Sequence, residues 1–455
     1  MKYFNHPLLR ILPLGIFILL VGCLPFSSRS QESSCNCDHT IAIDNGYNWD
    51  GSAVKPGETV CLQSGVRTSP LVIKNIKGTA EQPIVIQNCD GVFMIKQASD
   101  KSFGLKVQGS SYFRLTGSGA GKEQYGIKIE GGNIGVQMIG LSTNFELDHM
   151  EVSKVGFAGI MAKTDPTCAP ETWRDNFTME DVRIHDNYVH ETGTGEGFYI
   201  GNSFYAGGMK KDCGKVYPHK IVNLKLYNNL VEDTGAEGIQ VGCAVRGCEI
   251  YGNKVFRAGV NPFNGRKSQQ NGIQIGEGTG GRCYNNLVVD ASANAIIVLG
   301  LGDNVLYNNI LVRPAGAGIF IDERPPSTVL GKGSGFRVIN NTIIEPGKHG
   351  IWIYAELVQQ NDILNNIIAA PRSGKFITFE GCPGVPVINA SNNLKVYDPA
   401  QVKFVGYQKG DFRLSKASPA LGKGKSVHHY GVETDFYNHR ISTQAIDVGA
   451  IQYTE

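Results

Sequence analysis

One stretch decides the fold: Tyr227-Asn228-Asn229-Leu230-Val231-Glu232-Asp233-Thr234-Gly235-Ala236-Glu237-Gly238-Ile239-Gln240-Val241. It contains an asparagine followed by an apolar pair and, nine residues later, a glycine that opens a short strand of alternating apolar residues. The asparagine element recurs at spacings of 42, 24, 33, 23, 32, 25 and 27 residues, at Asn187, Asn229, Asn253, Asn286, Asn309, Asn341, Asn366 and Asn393. The glycine strand recurs most clearly at Gly197, Gly238, Gly272, Gly318 and Gly350.

A unit this short cannot bury its apolar face alone, but strands of period two can stack on their own copies. The repeat therefore predicts an all-β solenoid, a single-stranded parallel β-helix with long loop insertions. Weaker copies at Gly104, Gly126 and Gly159 extend the coils toward the N-terminus, so that the predicted domain covers residues 35–395. The asparagines are expected at an inward turn, where each side-chain amide bonds the next coil.

Composition and charge narrow the class of protein. The chain has 455 residues, of which 41% are apolar, so it can bury a large core. Without residues 1–22, which contain Lys2 and Arg10 and no acid, 41 basic side chains face 41 acidic ones. This balance argues against a nucleic-acid partner. We expect a monomer.

The N-terminus has the pattern of a secretory signal, with Lys2 and Arg10 before the apolar run from Ile11 to Val21. Its end, Leu20-Val21-Gly22-Cys23, resembles the lipobox of bacterial lipoproteins, which implies cleavage of residues 1–22 and a lipid anchor on Cys23. Residues 23–34 are rich in serine and are predicted to be a flexible tether. By the same resemblance, Leu24 in place of aspartate implies the outer membrane of the cell envelope, with its face undecided. The alternative is ordinary secretion with a free cysteine.

Ten further cysteines in an oxidising compartment predict disulfides rather than a zinc site. Cys35 and Cys37 are placed to clip the first strand to Cys61 or Cys89. Cys168 and Cys213 lie in long insertions, and the remaining pairing is left open.

Segments at both ends carry a family resemblance. The opening Lys55-Pro56-Gly57-Glu58-Thr59-Val60, followed by residues 78–86, resembles the first coils of the alginate lyase and chondroitinase B group. The ending Asp411-Phe412-Arg413-Leu414, with residues 418–420 and 447–450, resembles the closing module of bacterial surface β-helix proteins. The resemblance implies a right-handed, pectate-lyase-like coil and a C-terminal capping module over residues 396–455. An acidic polysaccharide is the predicted partner, because basic loop residues such as Lys211 and Arg266 should surround an acidic floor with Glu196 and Glu237.

Residues at one offset in successive coils form a column, because neighbouring coils lie about 4.8 Å apart. The column just before each glycine strand has Glu196 and Glu237 in neighbouring coils, with no cation between them. Two carboxylates this close repel each other unless they share a proton or hold a cation. We therefore predict Glu196 and Glu237 as catalytic residues and, with Glu191 and Asp233, as ligands of a calcium ion. The alternative is that these acids are solvated turn residues.

Two other columns have structural explanations. One alternates in charge, which predicts a salt-bridge ladder: Asp233, Arg257, Asp290, Arg313 and Glu345. The other is aromatic and should point away from the core as a stacked ladder, with a sugar platform as the alternative: His185, Tyr227, Tyr251, Tyr284 and Tyr307.

Insertions at residues 201–220 and 260–271 follow and precede glycine strands of the same face, so they should rise on opposite edges of it. Long loops over a rigid scaffold commonly carry function. We expect Glu196 and Glu237 on the floor between these walls. The predicted substrate-binding residues are Tyr199, Gln240, Asn271, Gln274, Lys211, Arg266, Lys267 and Trp352.

Three functions compete on this surface. The first is a calcium-assisted polysaccharide lyase, although the Lys and Arg-His motif of the resembling lyases is replaced on the corresponding strands by Gln240, Gln274 and Ile297. The second is a glycoside hydrolase that uses Glu196 and Glu237. The third is a surface protein that captures glycan without turnover.

Overall fold

The computed structural model describes residues 35–119, 121–322 and 335–454. The predicted signal segment, the tether and Cys23 lie outside the described residues. In the described part, no helix is long and apolar enough to cross a membrane.

Stacked parallel strands build the molecule, which confirms the predicted parallel β-helix. Each short strand pairs in parallel with its copy one coil further on; Ile239 lies opposite Ile273, for example, and Gln240 opposite Gln274. Strands after the glycines form a 12-stranded front sheet, and the strands on either side of the ladder asparagines form a 24-stranded ladder sheet.

The strand bounds follow the repeat closely. The front sheet contains Asn48–Asp50, Leu71–Lys74, Phe103–Gln108, Ile134–Ile139, Ile160–Ala162, Phe198–Ile200, Ile239–Val241, Ile273–Ile275, Ile296–Val298, Ile319–Asp322, Ile351–Tyr354 and Ile377–Thr378. The ladder-sheet strands before the asparagine turn are His39–Ile41, Thr59–Arg67, Ile84–Gln97, Ser111–Thr116, Thr143–Asp148, Thr178–His185, Lys220–Tyr227, Ala244–Arg246, Cys248–Tyr251, Gly281–Tyr284, Val305–Tyr307, Arg337–Ile339, Asn361–Leu364 and Ile388–Ser391. Those after the turn are Ile127–Gly131, Met150–Ser153, Tyr188–His190, Leu230–Glu232, Lys254–Phe256, Leu287–Val289, Ile310–Val312, Thr342–Ile344, Ile367–Ala369 and Leu394–Val396.

Two hairpins and several 3₁₀ turns complete the secondary structure of the described residues. The hairpins are Met209–Lys211 with Gly214–Val216 and Phe404–Gly406 with Asp411–Leu414. The 3₁₀ turns are Pro170–Thr172, Phe263–Gly265, Lys267–Gln269, Pro399–Val402, Tyr407–Lys409 and His428–Tyr430.

The asparagine ladder is confirmed atom by atom. Asn286 donates from Nδ2 to Oδ1 of Asn309 at 3.0 Å, and its own Oδ1 accepts from the backbone and side-chain nitrogens of Asn253. The ladder asparagines from Asn187 to Asn366 are almost fully buried. Each amide therefore satisfies backbone and side-chain groups that the turn would otherwise leave unpaired inside the coil.

The glycines that open the front strands are required by close packing. A Cβ atom on Gly238 would lie 2.4 Å from Cγ1 of Val255, a core side chain from the ladder sheet. A side chain here would push the two sheets apart.

The aromatic column is also confirmed. Tyr227, Tyr251, Tyr284 and Tyr307 stack with ring centres 4.7 to 4.9 Å apart and almost parallel planes.

The charged column is only partly a ladder. Asp233 pairs with Arg257 through two hydrogen bonds and Asp290 pairs with Arg313 in the same way, whereas Glu345 accepts a hydrogen bond from the hydroxyl of Tyr407.

Three disulfides form among the described cysteines: Cys35–Cys89, Cys37–Cys61 and Cys168–Cys213. The first two clip the N-terminal segment to the first coils, as predicted. Cys243, Cys248 and Cys283 remain buried thiols, and burial raises the pKa of Cys243 and of Cys248 to about 12.

The sequence predicted a C-terminal capping module. In the structure, the C-terminal segment lies along the side of the coils. Its side chains Val427, Val432, Ile441 and Ile446 pack against Tyr307, Ile339 and Leu364. Ile339 and Leu364 continue the outward row beyond Tyr307, and their apolar side chains need a cover. Asn308 and Asn365 add hydrogen bonds from the coil turns to the carbonyls of Thr434 and Lys425.

Candidate functional site

A cavity of about 420 Å³ lies on the outward face of the front sheet, between the two insertions that the sequence singled out. It is lined by five of the predicted substrate-binding residues, namely Gln240, Asn271, Gln274, Arg266 and Lys267. We call this cavity the groove. The structure thus gathers in one place side chains from consecutive coils that are far apart in the chain, such as Ser203 and Gln240, 37 residues apart, and Gln240 and Gln274, 34 residues apart.

A hydrogen-bonded row forms the floor of the groove. Gln274 donates from Nε2 to Oε1 of Gln240 at 2.9 Å, and Gln240 donates to Oγ of Ser203 at 3.0 Å. The hydroxyls of Tyr199 and Ser203 lie 3.1 Å apart. Gln240 and Gln274 are only 2% and 8% exposed. The floor therefore presents oriented amides that hold their positions without a ligand.

The second insertion forms one wall. The backbone nitrogen of Phe263 donates to the carbonyl of Thr194, and Nδ2 of Asn261 donates to the carbonyl of Gly193. These bonds fold the insertion back across the turn that precedes the front strands. Arg266 and Lys267 stay exposed and line the groove.

The first insertion forms a wall that borders the groove through Ser203, and its Ala206 nitrogen donates to Oε2 of the lining residue Glu277. The Cys168–Cys213 disulfide ties its hairpin to the preceding loop, and the guanidinium of Arg174 lies over the rings of Tyr205 and Tyr217. Lys211 lies on this hairpin, outside the set of residues that line the groove.

Glu196 and Glu237 stack one coil apart, as the column predicted. The backbone nitrogen of Gly197 donates to the carbonyl of Glu237 at 3.0 Å. However, the two side chains are 2% and 0% exposed, so they lie beneath the surface and do not form the open floor that we expected. The cause is the second insertion, which covers the turn they occupy.

Burial changes the acidity of this pair. Desolvation raises the pKa of Glu196 to about 7, and desolvation together with the charge of Glu196 raises the pKa of Glu237 to about 8. Oε1 of Glu237 accepts a hydrogen bond from Nδ2 of Asn271 at 3.3 Å, while Oε2 of each glutamate has no hydrogen-bond partner.

The four acids predicted as calcium ligands do not come together. Asp233 is held by Arg257, and Glu191 lies exposed beside His190, with Nδ1 and Oε2 3.0 Å apart. Calcium takes six to eight oxygen ligands, and two buried carboxyls with one amide neighbour do not supply them. The described residues therefore do not fit a calcium site at this position.

Two clusters among the described residues bring three potential metal ligands within 4.8 Å of one another. One consists of Cys35, Cys37 and Cys89, whose sulfurs are in disulfides. The other consists of Glu146, Asp148 and His185 on the ladder sheet, where Arg114 binds both oxygens of Asp148. Neither cluster borders the groove.

Beyond the groove, the outward-facing side chains of the front sheet continue as an aromatic pair. The rings of Phe320 and Trp352 stack with centres 4.6 Å apart, and Nε1 of Trp352 donates to the carbonyl of Glu380. Phe320 lines the groove, whereas Trp352 lies one coil further on. Trp352 is thus placed to extend a binding surface rather than to form the groove.

Sequence reasoning missed three polar residues here: Ser203, Glu277 and Lys163. Ser203 and Glu277 line the groove just after front strands. Nζ of Lys163 lies 2.9 Å from Oδ1 of Asp165 and 4.5 Å from the ring centre of Tyr199. Although burial opposes its charge, Tyr199 and Asp165 raise the pKa of Lys163. The available signal was its place two residues after Met161, which shares the column of Tyr199.

Comparison with known proteins identifies the fold as a right-handed parallel β-helix. A family profile described as "Right handed beta helix region" matches residues 219–398. The structure of pectate lyase Pel9A is similar, with a TM-score of 0.54 and 13% identity over 92% of this chain and 98% of that one. The GH136 lacto-N-biosidase from Eubacterium ramulus has a TM-score of 0.54 and 15% identity over 79% of this chain and 67% of that one. No curated protein sequence matches the chain.

Proposed function

We propose that this protein binds an acidic polysaccharide in the groove and cleaves it by β-elimination, as a polysaccharide lyase. The observation that carries the proposal is the groove itself: a floor with the hydrogen-bonded amides of Gln240 and Gln274, and Arg266 and Lys267 on one wall. Guanidinium and ammonium groups suit the carboxylates of uronic sugars, and oriented amides suit their hydroxyls. The folds of a pectate lyase and a lacto-N-biosidase are consistent with carbohydrate chemistry on such a coil.

Burial of the two glutamates favours elimination over hydrolysis. A hydrolase needs two carboxyl groups that flank the glycosidic bond, and Glu196 and Glu237 are covered in this arrangement. Elimination needs a neutralised uronate carboxylate and groups that accept and donate one proton. Arg266 and Lys267 line the groove and can neutralise the carboxylate. The hydroxyl of Tyr199 lies beside the groove, 3.1 Å from Oγ of the lining residue Ser203, and Nζ of Lys163 lies 4.5 Å from the Tyr199 ring centre.

A glycoside hydrolase is the second candidate, because a raised pKa on a carboxyl group is what a general acid requires near neutral pH. Glu196 and Glu237 have that property. This alternative requires that residues 260–270 move away from the pair before a glycan can reach it.

We also propose a lipid anchor on Cys23 that holds the protein at the cell envelope, on the outer membrane. The support is the sequence Leu20-Val21-Gly22-Cys23 after an apolar run. A polysaccharide-processing protein placed there would meet its substrate outside the inner membrane.

The test is a screen of the full chain against acidic and neutral polysaccharides, with and without a chelator. Unsaturated products that absorb ultraviolet light support the lyase, reducing ends without that absorbance support the hydrolase, and binding without turnover supports glycan capture. Replacing Arg266 and Lys267 by glutamine should weaken binding at least about tenfold, the equivalent of 1.4 kcal/mol. Lys254→Gln, at an exposed site on the ladder sheet, is the matched control. Equal binding by both variants would contradict the assignment of the groove.

A further inference from the structure

The buried glutamate pair lacks the partners that two charges would need. Glu196 and Glu237 occupy consecutive coils, both are almost fully enclosed, and each keeps Oε2 without a hydrogen-bond partner. Two ionised carboxylates in this position would each pay for desolvation and would repel each other. One proton on the pair removes the repulsion and supplies the donor that it lacks.

Few charges act on the pair from its surroundings. Lys163 from the preceding coil favours the ionised form of Glu196. Within the turns that carry the pair, Glu191 faces His190 and Asp233 binds Arg257. Arg266 and Lys267 of the covering insertion are exposed on the groove side. Lys163 therefore supports one negative charge on the pair, and a second negative charge has no cation of its own among the described residues.

Asn271 connects the pair to the wall of the groove. Its Nδ2 donates both to Oε1 of Glu237 and to the carbonyl of Ser268, at 3.3 and 2.9 Å. Its Oδ1 accepts from Nδ2 of Asn294 at 3.0 Å. Ser268 directly follows Arg266 and Lys267, so one amide bridges the buried acids and the basic wall.

We propose that Glu196 and Glu237 share one proton near neutral pH and act as positioning residues, which hold the wall segment 266–269 through Asn271. The effect on substrate rests on the proposed function, whereas the shared proton does not. Loss of the proton leaves two negative charges buried beneath the insertion. Because opening of the insertion hydrates these charges, ionisation destabilises the closed wall and lowers the affinity of the groove.

The pH dependence has a definite sign. The folded protein raises the pKa of both carboxyl groups above the ordinary glutamate value, so the pair contributes its full stability below about pH 4.5. That contribution is lost as the pH rises through about 7 and 8. In the double variant Glu196→Gln with Glu237→Gln, the neutral amides stand in for protonated carboxyls and remove this loss.

The first experiment is independent of any glycan. Infrared difference spectra of the wild-type chain against the double variant should show a protonated carboxyl band at about pH 6 that disappears by about pH 9. The melting temperature of the wild type should fall between these pH values by more than that of the double variant, while Asp212→Asn on the exposed hairpin tip should behave like the wild type. Absence of the band at about pH 6, or its loss on adding calcium, would overturn the shared proton. The wild-type titration decides this even if the variant fails to fold.

The second experiment measures the wall. Hydrogen exchange of residues 259–271 should speed up in the wild type between about pH 6 and pH 9, after correction for the intrinsic rate, and should change less in Glu237→Gln. Binding of an acidic polysaccharide should weaken about tenfold over the same range in the wild type alone, which corresponds to one pKa unit of coupling. If the band and the exchange respond but no polysaccharide binds, the shared proton stands and the proposed function fails. Exchange that is independent of pH would overturn the positioning role.

Discussion

Asn286 shows how a single side chain joins neighbouring coils. Its amide donates to the carbonyl of Ile250 and to Oδ1 of Asn309, and its Oδ1 accepts twice from Asn253. All these groups are in the core, where water cannot replace a lost partner. The ladder therefore stabilises the register of the coils as well as the turn in which it lies.

Replacing Asn286 by leucine should be strongly destabilising. Each buried group left unpaired costs about 1 to 3 kcal/mol, and the change affects partners in both neighbouring coils. Thermal unfolding of the variant should show a clear drop in melting temperature. Asn48→Leu, at an exposed site on a front strand, serves as the control. Equal melting temperatures for the two variants would show that the ladder is not a main source of stability.

At the scale of elements, the two insertions form the walls of the groove, and the strands of the coil hold the insertions in place. The front strands place Tyr199, Gln240 and Gln274 in one row through their parallel register. The walls need their own attachments, because loops have few backbone partners within the coil. One wall depends on the Cys168–Cys213 disulfide, and the other depends on hydrogen bonds to residues 193–194 and 234–236.

Removing the Cys168–Cys213 disulfide should loosen the first wall while the coil remains folded. The double change Cys168→Ser with Cys213→Ser should lower the free energy of unfolding by about 2 to 4 kcal/mol, the usual range for a native disulfide. Proteolysis should then cut within residues 201–220 before it cuts the coil, as mass spectrometry of the fragments would show. The change Cys248→Ser in the core provides a thiol control. Cleavage that begins in the coil would contradict a local role for the disulfide.

At the scale of the whole molecule, the coil is a rigid platform with a covered side and an open front. The C-terminal segment packs on the outward apolar row of the ladder sheet, which leaves the front sheet and its groove accessible. A binding surface on the front sheet can engage a polymer over several coils, from the polar floor to Phe320 and Trp352. This arrangement agrees with a polymeric substrate.

The proposed location of the protein at the membrane can be tested through Cys23. The change Cys23→Ser removes the thiol that would carry the lipid, so the variant should lose labelling by fatty-acid analogues and should leave the membrane fraction. Retention of the stability and of the groove affinity would show that the fold is intact. Unchanged labelling and fractionation would refute the anchor.

The sequence by itself determined the coil, its register and the order of residues in each column. The reason is that each repeat stacks directly on the next one along the chain. The spacing of ladder asparagines such as Asn229 and Asn253 therefore sets which residues share an offset. Glu196 and Glu237 accordingly lie in adjacent coils. Only the tertiary structure decided which acids are exposed and which partners they have. Glu196 and Glu237 are buried because residues 260–270 fold back over their turn, and the ion pair with Arg257 occupies the carboxylate of Asp233, which therefore does not join a metal site. The path of an insertion and the side that a C-terminal segment covers depend on contacts between residues far apart in the chain, and the periodicity of a repeat contains no information about them.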